Sequence, residues 1–293
     1  MTIAVGLVGA GTRAAQAHAP MLAVLPEIRF AGVWSRSRRP VEVLAGRHGV
    51  PAYSRFLDLV EHCDALAFAV PPPVQAELAA VAAMRGKALL LERPVAGDIA
   101  GAEQLAEAVR LHHVVSQLAL VWRYAADVRH FLGTEVDRVR PDGGAGRLIS
   151  GRHRSGSQIS AWRVQRGVLR DQGVDLLDLL EAALGPIVDV RAHGDRAGWL
   201  GLLLDHQVGR FSEASITATA APELFRADVE IFGRGGQAAV DCTGASGPDA
   251  YRTMYLEFAD AVRRRSEPQL DAEHGLHLQR VIESAETDVL LDT

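Results

Sequence analysis

Apolar positions follow two different rhythms along the chain, and the change falls near residue 122. In the first part, short apolar runs predict strands at Ile3–Val8, Arg29–Trp34, Ala65–Val70, Ala88–Leu91 and Val114–Leu120. Segments with helical apolar spacing lie between them: Ala14–Leu25, with Pro20 a candidate kink, then Arg39–His48, Val74–Met84 and Ala102–Leu111. Strands that are apolar throughout and separated by helices predict a parallel sheet covered on both faces. Residues 1–121 are therefore expected to form a doubly wound α/β domain. Beyond it the period drops to two. Leu148–Arg154, Val188–Ala192, Leu200–Val208, Phe211–Ala218, Ala227–Phe232 and Ala238–Asp241 predict an open, mainly antiparallel sheet. A helix at Asp171–Leu184, ended by Gly185-Pro186, interrupts the strands, and helices at Tyr251–Arg264 and Ala272–Leu290 close the chain. Residues 122–293 are expected to form an α+β domain for substrate and self-association. Pro141 to Gly146 reads as a loop between the two parts.

Composition narrows the class. The chain has 293 residues, 48% of them hydrophobic and 23% charged, enough apolar content for two sizeable cores. The formal net charge is −5 and no basic block occurs, which argues against a nucleic-acid partner. Cys63 and Cys242 form no spaced cluster, so neither a disulfide framework nor a zinc site is expected, and no H-E-x-x-H spacing suggests another metal. No apolar run approaches the ~18 residues that span a bilayer, and Met1-Thr2 leads straight into a strand, so a soluble cytoplasmic protein is expected. Lys87 is the single lysine among 31 basic residues, which removes lysine from almost every catalytic role.

The most informative stretch is Val5 to Ala14. A strand ends at Val8, Gly9 and Gly11 follow, and a helix opens with Thr12, Arg13 and Ala14. This is the G-x-G-x-x-(G/A) dinucleotide fingerprint in its expected setting. Gly9 permits the tight turn, Gly11 lets the backbone approach a pyrophosphate, and Ala14 allows close helix–strand packing. The helix N-terminus presents unpaired N–H groups and partial positive charge to phosphate. In such a domain, ligands sit at the carboxyl ends of the strands, which adds Ser35, Arg36, Arg39, Val70, Pro71, Glu92 and Arg93 as candidate cofactor residues. The second strand ends without the acidic residue that would bind a ribose 2′-hydroxyl. Ser35 and Arg36 suit a 2′-phosphate instead, so the expected cofactor is NADP(H), with NAD(H) the alternative; the competing reading is a solvated basic loop. In the second domain, Asp171, Asp175 and Asp178 share one helix face and constitute either a solvated acidic face or a site. Gly167 and Gly173 near that helix start imply close packing. His18, one turn past Ala14, reads as a packing or capping group.

The order of these features resembles the Gfo/Idh/MocA oxidoreductase family over nearly the whole chain. The matching stretches are Gly6 to His18, Ala69-Val70-Pro71-Pro72 with Glu77, Gly86 to Pro94, Gly167 to Asp178, and Ala272 to Leu276. The resemblance implies a Rossmann domain, a substrate domain with an open sheet, and homo-oligomers, dimers or tetramers, that pair through that sheet. It also implies hydride transfer between a nicotinamide dinucleotide and a small-molecule carbonyl, alcohol or imine. Three positions depart from the family pattern: Arg93 replaces its lysine, Asp175 its histidine, and Gln75 a common histidine. Arginine stays protonated, so Arg93 can orient a substrate or stabilise an oxyanion but not pass a proton. Asp175 is then the positional candidate for the acid, with Asp171 able to raise its pKa by like-charge repulsion, and Tyr124 a second candidate. Arg123, Trp162, Arg163, Asp171 and Asp178 are the candidate substrate contacts. The alternative function is a non-redox catalyst or ligand-binding protein that retains the fold and the dinucleotide.

Overall fold

The computed structural model describes residues 2–151 and 167–291. Contacts divide the chain into two units: 1–120 with 251–279, and 121–250 with 280–293. The expected second domain, 122–293, thus loses 251–279 to the first unit, because the segment after the last strand packs back against the parallel sheet.

The first unit is built on a parallel five-stranded sheet in the order β2-β1-β3-β4-β5. The strands are β1 (Ile3–Val8), β2 (Ile28–Trp34), β3 (Ala65–Phe68), β4 (Ala88–Leu91) and β5 (Ser116–Leu118). Every residue of β1, β3, β4 and β5 is buried, the signature of strands covered on both faces. The connecting helices are α1 (Ala19–Val24), α2 (Arg38–His48), α3 (Phe56–Glu61), α4 (Pro72–Ala83) and α5 (Ile99–His112). The short α3 carries too little periodicity to be read from sequence. The proline run after β3 both stops the strand and starts α4, since Pro72 lies in the first helical turn, where its missing N–H costs nothing. Asp98 caps α5 by accepting from the Gly101 N–H at 2.8 Å. Within the helix expected over Ala14–Leu25, Pro20 falls just after a change of helix type. A π-helical turn, Ala14–His18, runs directly into α1, whose first turn holds the proline.

The second unit holds a six-stranded sheet in the order β11-β10-β6-β9-β8-β7. Its strands are β6 (Pro141–Ser150), β7 (Ile187–Gly194), β8 (Trp199–His206), β9 (Phe211–Thr217), β10 (Phe225–Gly233) and β11 (Gly236–Asp241). All pairs are antiparallel except β6 with β9. Pro141 to Gly146, expected as a loop, is the first half of the central strand β6. The glycines serve packing here, not turning. A Cβ on Gly143 would lie 2.7 Å from the Phe211 carbonyl oxygen, one on Gly144 2.7 Å from that of Glu230, and one on Gly146 2.8 Å from the Leu176 side chain. The neighbouring strands' carbonyls leave no room for a Cβ at Gly143 and Gly144, and at Gly146 the Leu176 side chain would have to shift. The Val174–Leu184 helix covers one face of the sheet. The opposite face presents Trp199, Leu203, Phe211 and Phe232 to solvent.

Candidate functional site

In the parallel sheet, β1 and β3 are neighbours whose connections leave to opposite sides. Their carboxyl ends form the crevice where ligands of doubly wound sheets bind. Gly9 lies there, fully buried, with φ +127°; a Cβ on it would fall on the Ala69 carbonyl oxygen at the end of β3. Its N–H donates to the Trp34 carbonyl at 2.7 Å, which fastens the turn to β2. Gly11 is the opposite case: exposed, with nothing within 4 Å of where its Cβ would stand. The open side of the turn is therefore the side a pyrophosphate would take, and Gly9 and Gly11 have separate tasks. Ala14 is completely buried. Thr12 is exposed in the first turn of the helix, and Val70 and Pro71 are half-buried at the end of β3. These residues fit a bound dinucleotide.

Ser35 follows β2 and donates its hydroxyl to the Ser37 carbonyl. Arg36 and Arg39 are exposed, and among the described residues neither has an ion-pair partner, whereas Arg38 between them pairs with Glu42 at 2.7 Å. Arg39, with Arg47, Val43, Ala10 and Ala15, lines a cavity of about 300 Å³ beside the glycine turn. Two guanidiniums without ion-pair partners among the described residues thus stand at this strand end.

Glu92 is the hub of the site. Its carboxylate accepts from His18 Nε2 at 3.0 Å and pairs with Arg13 Nε at 3.6 Å. Burial pushes its pKa up, but the Arg13 guanidinium, the His18 hydrogen bond and the nearby Arg93 outweigh that and hold it at about 2. His18 Nε2 must donate to an ionised carboxylate, and His18 Nδ1 then faces the Tyr255 hydroxyl at 2.7 Å. Burial, with the neighbouring Tyr251 and Glu92, keeps Tyr255 a phenol, and its hydroxyl is hydrogen-bonded to Nδ1. Arg13 in turn donates from Nη1 to the Tyr251 hydroxyl at 2.7 Å. Tyr251 too is raised by burial and by Glu92. The Glu92 backbone is held from the other side by the buried Gln75. Its amide oxygen accepts from the Glu92 N–H at 2.9 Å, and its amide nitrogen donates to the carbonyls of Glu92 at 2.6 Å and Val95 at 3.0 Å. Arg93-Pro94 between them is a cis peptide, and Arg93 is half-buried. Lys87 is occupied elsewhere, donating to the Cys63 carbonyl at 2.7 Å.

In the second unit, Asp171, Asp175 and Asp178 retain only 5%, 4% and 1% of their surface, which excludes a solvated acidic face. Asp178 accepts from Arg123 Nη1 at 3.0 Å, a buried pair of two predicted substrate residues. Tyr124 is buried, with the Arg129 guanidinium 5.4 Å above its ring. The π-helical turn Leu169–Gly173 precedes Asp175; Gly173 is packed so tightly that a Cβ would stand 2.6 Å from Leu169. Arg170 anchors this turn to Glu286 at 2.7 Å. Trp162 and Arg163 lie outside the described residues. Among the described residues no group of His, Cys, Asp and Glu could hold a metal ion, and no helix is long and apolar enough to cross a membrane.

Sequence reasoning missed Tyr251 and Tyr255, named Gln75 only as a departure from the family pattern, and gave His18 only a packing or capping role. One signal was present: the chain has four tyrosines, and two of them stand four residues apart on one helix.

The fold and turn define a dinucleotide-binding α/β domain. Residues 3–120 match the Gfo/Idh/MocA model, an oxidoreductase family with an NAD-binding Rossmann fold. No curated protein matches the sequence. Among solved structures, an oxidoreductase domain protein from Kribbella flavida superposes with a TM-score of 0.91 at 18% identity, over 100% of this chain and 98% of that one. GenD2 from gentamicin A biosynthesis, in complex with NAD, gives 0.88 at 19% identity, over 100% and 95%. Scyllo-inositol dehydrogenase from Lactobacillus casei, with bound NAD(H) and scyllo-inositol, gives 0.86 at 17%, over 100% and 98%. These likenesses extend the shared fold to the second unit.

Proposed function

We propose that this protein is an oxidoreductase that uses NADP(H) to reduce or oxidise a small-molecule carbonyl, alcohol or imine. The observation that carries this reading is the glycine turn at the β1–β3 crevice, open at Gly11, with the uncompensated Arg36 and Arg39 at the end of β2. The backbone N–H groups of the turn and the helix start receive the pyrophosphate. Arg36 and Arg39 receive the 2′-phosphate, which a guanidinium recognises by charge and paired donors. The bound dinucleotide supplies hydride chemistry. Arg93, permanently cationic, orients the substrate oxygen or nitrogen and stabilises negative charge there. Asp175, set on its helix by the anchored π-turn, is the proton carrier, and Arg123 and Asp178 form one polarised wall of the substrate site. The NAD and NAD(H) in the two relatives support a nicotinamide dinucleotide, and the scyllo-inositol in one supports a hydroxyl-bearing substrate. The preference for the 2′-phosphate rests on this chain's own arginines.

The exposed Trp199, Leu203, Phe211 and Phe232 support pairing of this sheet face with a second copy, so the working form is a homo-oligomer. Sedimentation equilibrium tests that directly.

Activity is tested by following NADPH absorbance with a panel of polyols, keto sugars and cyclic imines. Turnover of at least one member supports the reading. Tight NADPH binding without turnover across the panel favours a ligand-binding protein that retains the domain.

A further inference from the structure

Five polar side chains form one chain of contacts within the first unit: Tyr255–His18–Glu92–Arg13–Tyr251. Exposure rises along it as far as Arg13 and falls again at Tyr251. Tyr255 and His18 have no accessible surface, while the Glu92 side chain retains 12% and that of Arg13 27%. The network therefore reaches solvent at Arg13, in the first turn of the helix that follows the glycine turn. A cation there faces the positive end of the helix dipole, which disfavours it. A buried polar network is also no more stabilising than apolar residues of the same shape. What such a network does supply is fixed geometry. The rings of Tyr251 and Tyr255, one helical turn apart, both meet His18 edge-on, at 6.0 and 5.9 Å between centroids. One hydroxyl then holds Arg13 directly, and the other holds His18 and, through it, Glu92.

We propose that His18, Tyr251 and Tyr255 are positioning residues for the dinucleotide: through Glu92 and directly, they fix the Arg13 guanidinium at the glycine turn, where it takes a pyrophosphate oxygen. The role rests on the dinucleotide reading above. Fixing the guanidinium beforehand removes the ordering cost that a free arginine side chain would incur on binding. Glu92 neutralises Arg13 in the absence of ligand.

The test is isothermal titration of two probes: NADPH, which contains the pyrophosphate, and adenosine 2′,5′-bisphosphate, which carries the 2′-phosphate without it. Tyr251→Phe and Tyr255→Phe preserve shape and delete one hydroxyl each. Each is expected to weaken NADPH about three- to tenfold and to leave the bisphosphate within about twofold. In an Arg13→Gln background, Tyr255→Phe is expected to have no further effect on NADPH, a coupling that loss of packing alone would not produce. Equal weakening of both probes, or additive losses in the double variant, overturns the proposal. So does tighter NADPH binding by Glu92→Gln, which would make Glu92 a competitor of the pyrophosphate. If the wild-type protein binds neither NADPH nor NADH, the dinucleotide reading fails and takes this role with it. If it binds NADPH and the tyrosine variants match it, only the positioning role fails.

Discussion

His18, with no exposed surface, donates from Nε2 to the Glu92 carboxylate across 3.0 Å and so joins the first helix to the turn that ends β4. The bond brings a residue of the helix after the glycine turn and a residue beside Arg93 into one cluster. Its strength depends on Glu92 being ionised, which gives it a defined pH dependence.

Glu92 titrates at about 2 in the folded protein against an ordinary 4.5. A depressed carboxylate contributes stability that is complete above the unfolded value and is lost as pH falls through the folded value. The wild-type protein is expected to lose about 2–3 kcal/mol from this source between pH 5 and pH 2. Glu92→Gln lacks that contribution. Urea unfolding across this window should show it less stable than wild type at pH 7, with the gap narrowing toward pH 2. A gap that stays constant with pH would contradict the assignment.

Gly9 and Gly11 should respond differently to alanine. At Gly9 the backbone is left-handed and the Ala69 carbonyl fills the space of a Cβ, so Gly9→Ala is expected to cost about 3 kcal/mol or more of stability. At Gly11 the space is open, so Gly11→Ala should fold with a melting temperature near wild type yet bind dinucleotide at least about tenfold more weakly. Thermal melting alongside titration separates the two. A destabilised Gly11→Ala with intact binding would overturn this division of tasks.

Gln75 holds the Glu92–Val95 backbone with both ends of its amide. Gln75→Glu replaces two donated hydrogen bonds with a carboxylate facing carbonyl oxygens, and is expected to cost about 3 kcal/mol or more. Gln75→His should retain part of that loss, since an imidazole offers one donor in the same place. Chemical denaturation of both variants checks the order.

Arg123 and Asp178 form a pair with little exposed surface. Removing one charge, as in Asp178→Ala, should cost about 3–5 kcal/mol. Replacing both with apolar residues of similar volume should restore much of it, while any substrate turnover should be lost in both. Unchanged turnover in the double variant would remove the pair from the substrate site.

The parallel domain was legible in the sequence because its information is local. Each strand is a short apolar run, and three of them, β1, β3 and β4, end in residues with a fixed backbone meaning: Gly9, the proline run after β3, Glu92-Arg93-Pro94. The glycine half of β6 was not legible. Gly143, Gly144 and Gly146 look like turn residues in isolation, and what makes them strand residues is the approach of Phe211, Glu230 and Leu176, distant in sequence. The glycine turn was likewise local and readable. The network behind it was not, since His18 and Tyr255 are 237 residues apart and neither has an unusual neighbourhood in the sequence. The buried state of Asp171, Asp175 and Asp178 was also beyond local reading, because their spacing fits a wet face as well as a dry one.

The central claim is that this domain binds a nicotinamide dinucleotide and selects the 2′-phosphate through Arg36. Isothermal titration of NADPH and NADH against the wild-type protein and Arg36→Glu tests it most directly. The expected result is tighter binding of NADPH by the wild-type protein, an NADPH dissociation constant raised about tenfold or more by Arg36→Glu, and an NADH constant changed less than about threefold. Equal effects of the substitution on both dinucleotides, or no binding of either by the wild-type protein, would contradict it.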